Sequence, residues 1–431
     1  MKILKSSHIS PFGGLNFVLD EFDKNKIGQI INDTLPQLSP QSRYDWRDIL
    51  YSYWSVFFCG GDCAEDLSLN FKPSLSQSPF LNVPSPDRVL NRLKEIAEPA
   101  HYYATPRGRF LHHFASNETL TDLNIAILDT LFSLSRAKVN LDYDNTICYT
   151  SKKDAQRTYQ KDTGYIPAVG LVGSKVIYIE NRNGRSNAGI LQEDTLERMF
   201  VKLLDKGIKV AKFRADSASY SFKIIQTIER YSDSFYIKAR MSASLARVIG
   251  AVKQWQRIDS KEGTIYRGET IYTPFERAAR DFKQKEHLRP YRFVVTKEIR
   301  RDGQVNLFTK EAYKYSVIVT NDYNMPIDNI VFYYNKRGAI EREFDILKND
   351  FGWNKLPFSK LEQNLVYLQV MGICRNLYHF IITLFSKRCK GLKPHFRIKK
   401  FIFRFVTIPG KWIKNSRQYK LKIYGEIHFK T

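Results

Sequence analysis

The spacing of apolar residues changes period along the chain. Up to about residue 135 it is helical. Ile27, Ile30, Ile31 and Leu35 fall on one face, and residues 43–58 form an aromatic-rich core helix that stops at Gly60-Gly61. A short helix is expected around 64–67, then a Pro/Ser-rich loop from 73 to 86. Ser85-Pro86-Asp87 is a helix start with Pro in the first turn, opening DRVLNRLKEIA. Residues 119–135 close this part with another amphipathic helix. Val139, Leu141 and Tyr143 then alternate with Asn140, Asp142 and Asp144. That is the period of a strand, and it puts both acids on one face.

Residues 165–172 and 175–181 read as two strands joined by a hairpin turn at Gly173-Ser174. A helix over 192–206 ends at Gly207. An apolar strand over 208–213 leads into Arg214-Ala215-Asp216-Ser217, followed by a helix over 219–231 and a strand over 234–239. The order strand, hairpin, helix, strand, helix, strand fits a mixed α/β sheet covered by helices. Strand-like pieces at 263–266, 291–297 and 315–320, with basic polar connectors, then make a β-rich insertion. Helices over 334–350 and 361–385 follow. The tail holds a hairpin-like pair, 401–407 with 419–424, around Pro409-Gly410. The expected division is a helical segment 1–135, a core in two parts (136–240 and 330–386), the insertion 241–329 and a tail 387–431.

Charge changes what this architecture is for. The chain of 431 residues carries a formal +24, and the 14 Lys/Arg against one acid (Glu426) between 387 and 431 supply +13 of it. Such an excess points to polyanions, nucleic acid first. Aromatics (Phe401, Phe403, Phe405, Trp412, Tyr419) are interleaved with cations in this tail, Lys399 and Lys400 among them, as in a surface that tracks phosphates. The helix after Pro86 exposes Arg88 and Arg92, and with the helices before it resembles a helix-turn-helix DNA reader. No run reaches the roughly 18–20 apolar residues of a membrane span, and the N-terminal stretch has no apolar signal segment, so a cytoplasmic protein without a membrane partner is expected. The five cysteines are scattered, with one CxxxC (Cys59, Cys63) and no second pair, which fits reduced thiols better than zinc.

The helix over 334–350 carries candidate chemistry. At about 100° per residue, Tyr334, Arg337, Glu341 and Lys348 fall within roughly 60° of arc. Ile340, Phe344, Leu347 and Phe351 form an adjacent apolar stripe that would seat the helix on a core. A phosphodiester-cutting site needs such a set, the carboxylate for metal and the cations for phosphates. A plain amphipathic helix with a polar flank is the competing reading. Asp142 and Asp144 on the first strand and Asp216 past a later strand supply further acids. Strand-borne acids and one helical acid can converge at a sheet edge and hold two divalent ions, Mg²⁺ or Mn²⁺, with hard oxygen ligands.

These residues resemble the DDE-type transposases of bacterial insertion sequences, in the group marked by a Tyr-x2-Arg-x3-Glu-x6-Lys signature. Tyr334, Arg337, Glu341 and Lys348 match that spacing in full, Arg214-Ala215-Asp216-Ser217 is similar to the family's second-Asp segment, and Leu141-Asp142-Tyr143-Asp144-Asn145-Thr146 to its first-Asp strand. The resemblance implies a ribonuclease-H-like core with Asp144, Asp216 and Glu341 as catalytic metal ligands, Asp142 being the alternative to Asp144. It implies cut-and-paste transposition: binding of terminal inverted repeats, pairing of two double-stranded ends by a homodimer, cleavage, and joining to target DNA. Arg337 and Lys348 would grip phosphates, Tyr334 would touch the adjacent backbone, and Trp255 in the insertion is a candidate to hold a flipped base. A nuclease that cuts without joining, and a non-catalytic DNA-binding relic, are the alternatives.

Overall fold

Helix starts and stops fall where capping chemistry puts them. Asp45 accepts from the backbone N–H of Asp48 and Ser85 from that of Arg88, while Gly173 and Gly207 take the left-handed conformations that end their elements. The computed structural model of the chain describes residues 7–104, 111–260, 263–299, 304–305, 307–309 and 312–425. The front holds α1 (Leu15–Lys24), α2 (Ile27–Thr34), α3 (Trp46–Phe58), α4 (Lys72–Leu75), α5 (Pro86–Glu95), the hairpin β1 (His101–Ala104) and β2 (Leu111–Ala115), and α6 (Glu118–Phe132). Next come β3 (Val139–Asn145), the short strands β4 (Cys148–Tyr149), β5 (Gln156–Arg157) and β6 (Thr163–Tyr165), then β7 (Ala168–Val172), β8 (Lys175–Arg182), α7 (Gln192–Asp205), β9 (Val210–Ala215), α8 (Phe222–Tyr231) and β10 (Ser232–Lys238). The insertion is α9 (Ala243–Gly250), β11 (Gln256–Ser260), β12 (Gly263–Tyr272), α10 (Glu276–Asp281), β13 (Tyr291–Ile299) and β14 (Tyr313–Thr320). The chain continues with α11 (Ile327–Asn335), α12 (Ala339–Asp350), α13 (Leu361–Arg388), α14 (Ile398–Phe401), β15 (Gly410–Asn415) and β16 (Gln418–Ile423).

One 11-stranded mixed sheet organises the protein, in the order β1-β2-β8-β7-β3-β9-β10-β14-β13-β12-β11. β3, β9 and β10 run parallel to one another, and β7 is antiparallel to both of its neighbours. The segment from α9 to β14 is rich in strands. Its strands form an antiparallel meander that enters the sheet by pairing β14 with β10, so it extends the central sheet. Leu141, Tyr143, Phe213 and Ala215 point into a core with residues of α7, α8 and α9 on one face. By the alternation of a strand, Asp142, Asp144 and Arg214 face the opposite side.

On that opposite side α11 lies over β10, β13 and β14, and α13 over β7 and β8. Among the described residues α13 is the one helix long and apolar enough to cross a membrane, yet 89% of its most apolar window is buried inside the protein. It matches the helix expected over 361–385, extended by about one turn at its end, and the fold satisfies the polar residues inside it. Asn376 accepts from the Val176 N–H and donates to Asn124 Oδ1 and the Val176 carbonyl, and Gln369 donates to Thr121 Oγ1. The front helices share this core: Trp54 Nε1 donates to the Val370 carbonyl, and one continuous cluster runs from Leu15 to Val406. Residue 135 is therefore not a packing boundary. In α3 every residue except Arg47 is buried, and α5 lays Val89 and Leu93 on the core, so the helix-turn-helix expectation gives way to helices packed as part of the main body.

The tail also differs from expectation. Residues 398–406 are helical, ending in a π-helical turn, and the hairpin lies further on, β15 against β16. Phe401 and Phe405 anchor this helical turn against Phe385, so those aromatics are packed one helical turn apart, a period that alternation with Lys and Arg concealed.

Candidate active site

Asp144 stands near the C-terminal end of β3 and Asp216 just past the end of β9. The register pairs Asp142 with Arg214 on these parallel neighbours, so two residues further on Asp144 and Asp216 follow on the same face. The Asp216 carboxylate accepts from the Ala218 N–H at 2.9 Å, which fixes it at the start of a 3-10 turn. Glu341 enters from above, in the first turn of α12, and is exposed with no ion pair or hydrogen bond to any described residue.

The helix expected over 334–350 is broken. α11 ends at Asn335, Lys336–Gly338 is a 3-10 turn, and α12 begins at Ala339. The tighter winding changes the angular relation of residues on either side. Tyr334 is consequently buried, its hydroxyl donating to the Ala215 carbonyl at 3.3 Å, while Glu341 is exposed. The structure thus makes Tyr334 a prop beside the Asp216 strand end, not a surface group for a DNA backbone. Burial pushes its phenol up to about 12, with Arg337 opposing and Asp216 and Asp144 adding to the rise. The apolar stripe falls as expected, with Ile340, Phe344, Leu347 and Phe351 all in the core.

Arg337, in the 3-10 turn, places Nη2 2.6 Å from Asp144 Oδ2, with only 15% and 19% of the two side chains exposed. Asp144 Oδ1 accepts from the Asn145 N–H. Burial raises the Asp144 carboxyl to about 6; Arg337 pulls it down, and the carboxylates of Asp216 and Glu341 push it up. Three acids from two strands and a helix therefore share one electrostatic environment, with a guanidinium against one of them. Their oxygens are not all within 4.8 Å of one another; among the described residues, only Asp62, Cys63 and Asp66 meet that condition. The donor chemistry, three carboxylates with hard oxygens, fits a divalent cation such as Mg²⁺ or Mn²⁺. The Arg337 Nε is buried without a partner, a further sign that this cluster is not closed on itself.

Asp142, the alternative ligand, is buried and committed. Arg214 Nε and Nη2 donate to its two oxygens at 2.5 and 2.7 Å. Arg214 also donates to the Tyr333 carbonyl and lies 4.4 Å from the centre of the Tyr333 ring. This clamp joins β3, β9 and α11, the helix that precedes the turn carrying Arg337. Sequence reading marked Arg214 only as part of a motif; the opposed signs of Asp142 and Arg214 at matching positions of adjacent strands were the available signal. Lys348, two helical turns beyond Glu341, is half-buried and makes no ion pair with a described residue. Its charge opposes the burial that raises the Cys148 thiol to about 12. Asp345, on the same helix, is paired with Arg397.

The remaining expected residues lie elsewhere. Trp255 is half-buried before β11, with the Lys297 ammonium 4.0 Å from its ring centre. Arg92 is tied to Glu95 and Ser42, whereas Arg88, Lys399 and Lys400 are exposed.

A mixed sheet whose parallel strands end at acids, answered by a helical acid and an arginine, has the donor set that metal-assisted phosphoryl transfer requires. The family described as transposase DDE domain group 1 matches residues 8–430, and the chain belongs to that family. DDE transposases generally use divalent metal ions, and membership implies polynucleotidyl transferase or nuclease activity. No curated protein matches the chain. Among solved structures, the chain is similar to a piggyBac transposase in a synaptic complex with hairpin DNA, at 12% identity and a TM-score of 0.45, over 92% of this chain and 79% of that one.

Proposed function

We propose that this protein is a transposase that binds the ends of its element and performs divalent-metal-dependent cleavage and strand transfer on double-stranded DNA. The observation that carries the reading is that Asp216, Glu341 and Arg337 all lie near enough to Asp144 to act on its carboxyl, with Arg337 ion-paired to it. The central strands support a ribonuclease-H-like core: numbered by order in the chain they lie 3-2-1-4-5, with the second antiparallel to its neighbours. Asp144, Asp216 and Glu341 would hold one or two Mg²⁺ or Mn²⁺ ions, which supply charge stabilisation and an activated water or 3′-hydroxyl.

The chain's own residues do the remainder. Arg337 neutralises Asp144 until a phosphate offers a second anion, and its fork geometry suits either partner. Lys348 adds a point charge on the same helix. The Asp142–Arg214 clamp and the Tyr334 hydroxyl hold the strand ends and the 3-10 turn in register. Pairing of two ends requires two active sites, for which a homodimer on DNA is the simplest arrangement, acting in a bacterial cytoplasm at the nucleoid.

The test incubates purified protein with labelled duplexes carrying the boundaries of its own gene, target DNA and Mg²⁺ or Mn²⁺. Cleavage and joining are expected for the wild type and neither for Glu341→Gln. Equal activity of the two proteins rejects the assignment of Glu341. Cutting without joining, when paired ends and target are both present, favours the nuclease reading.

A further inference from the structure

The C-terminal hairpin carries a charged face that the active site does not use. β15 and β16 pair from Gly410↔Ile423 to Asn415↔Gln418. Directly opposed residues of an antiparallel pair share a face, so the ribbon has two distinct sides. One side is Trp412, Leu421, Lys414 and Tyr419. The other is Lys411, Lys422, Ile413 and Lys420, ending in Asn415 and Gln418.

The first side is the mounting. Trp412 Nε1 donates to Asn16 Oδ1, and the Phe80 ring meets both Trp412 and Tyr419 edge-on at 5.4 and 5.9 Å. Ser10 and Gly410 bridge backbone to backbone, and Gly410 allows this approach: a Cβ there would stand 2.9 Å from the Gly13 Cα. The ribbon is therefore fixed to α1 and the loop before α5, with its second side turned outward. On that side Lys420, Lys422, Asn415 and Gln418 are exposed, and Lys411 is half-exposed with its ammonium donating to the Ser7 carbonyl at the edge of the face. From 410 to 424 the chain has five cations and no acid, and none of these cations forms an ion pair with a described residue.

We propose that this outward face is a docking surface for duplex DNA, lying in or across a major groove. The major groove is about 12 Å wide and admits a two-stranded β-ribbon. Six residues per strand give a ribbon of roughly 20 Å, with strands about 4.8 Å apart, which spans several phosphates on each side. Three lysines on one face suit phosphate oxygens, and the Asn415/Gln418 pair at the tip has the amide groups that read base edges. A membrane surface fits less well, because the face offers only Ile413 as an apolar anchor. The inference rests on the DNA partner proposed above and adds the element that holds it.

The experiment measures binding of the full chain to a fluorescent random-sequence 40-base-pair duplex across 50–300 mM KCl. The variants are the triple Lys411→Ala, Lys420→Ala, Lys422→Ala; the same three changed to Arg; and a charge-matched triple elsewhere, Lys161→Ala, Lys206→Ala, Lys209→Ala. Loss of three phosphate contacts lowers the slope of log affinity on log salt by about 2.7, and weakens binding at 150 mM KCl by roughly tenfold or more. The Arg variant and the charge-matched triple are expected to bind within about twofold of wild type. Equal affinity and slope for the ribbon triple and wild type overturn the proposal, as does equal loss in the charge-matched triple. So does a defect confined to vesicles containing phosphatidylserine. Binding that depends on the ribbon in a protein that never cuts would leave this proposal standing and reject the transposase reading; absence of duplex binding by the wild type rejects the ribbon itself.

Discussion

Arg337 and Asp144 are bonded to each other across the candidate site, Nη2 to Oδ2 at 2.6 Å, from a 3-10 turn to a strand end. A cation that uses Asp144 must compete with this guanidinium. Removing it by Arg337→Ala therefore has two opposite effects. Mn²⁺ binding to the DNA-free protein is expected to tighten by roughly fivefold, the equivalent of about 1 kcal/mol for a largely buried ion pair. DNA cleavage is expected to fall by tenfold or more, because the phosphate loses its fork. Paramagnetic resonance of free Mn²⁺ and an end-cleavage assay report the two separately. Unchanged Mn²⁺ affinity shows that the pair does not guard the acid.

Asp144 titrates where its role can be watched. Its carboxyl lies at about 6, raised chiefly by burial. The raised acid favours the protonated fold, so this group's contribution to stability is lost as pH rises from its unfolded value near 3.8 through about 6. The unfolding temperature of wild type relative to Asp144→Asn is expected to decline over that window, by an amount equivalent to roughly 2–3 kcal/mol, and to be flat above it. Activity runs the other way, since only the carboxylate binds metal. Cleavage is expected to fall below about pH 6, with a midpoint that moves down as Mg²⁺ is raised. A midpoint indifferent to Mg²⁺ removes Asp144 from the ligand set.

The two acids of β3 are separated by structure although they share a face. Asp142 has both oxygens on Arg214 and is buried. Asp142→Leu strands that guanidinium in the interior, and a broken buried pair costs about 3–5 kcal/mol. The variant is expected to unfold far more readily in urea. Asp144→Asn is expected to be no less stable than wild type in urea at pH 7, gaining up to the roughly 2–3 kcal/mol that the buried carboxylate costs there, and to lose cleavage. A stable, inactive Asp142→Leu protein reverses the assignment.

The strand alternation from Val139 to Asn145 and the acids at its end were legible because a period of two is a local property. So was the apolar stripe of α12. The break at Lys336–Gly338 was not, because nothing local except Gly338 disfavours a continuous helix; the turn is flanked by contacts from residues distant in the chain, Arg214 to α11 and Arg337 to β3. The span of α13 was legible, Leu361–Arg388 against an expected 361–385, but the roles of the polar residues inside it were not. Asn364, Gln369, Arg375 and Asn376 look like surface residues until the fold supplies the nearby Phe358 and, from further along the chain, Thr121, Glu343 and Asn124 as partners. The tail helix was masked by aromatics whose alternation with cations mimics a strand.

α12 must hold Glu341 at the strand ends, and one buried contact secures it to α13. Arg375 Nη2 donates to Glu343 Oε2 at 2.8 Å, with both side chains at most 10% exposed. Glu343 lies two residues from Glu341 on the inward side of the helix, so the pair fixes the rotation of α12 about its axis. Arg375→Met leaves a buried carboxylate unpaired and is expected to cost about 3–5 kcal/mol. Adding Glu343→Leu removes the stranded charge, and the double variant is expected to recover most of that stability. If the pair serves only stability, the double variant also recovers cleavage. If it aims Glu341, the double variant is stable yet cuts at a rate well below wild type, with DNA affinity unchanged. Urea unfolding, duplex binding and end cleavage on the three proteins decide between these. The rotational role predicts the second pattern, because apolar residues restore packing without restoring a directional contact.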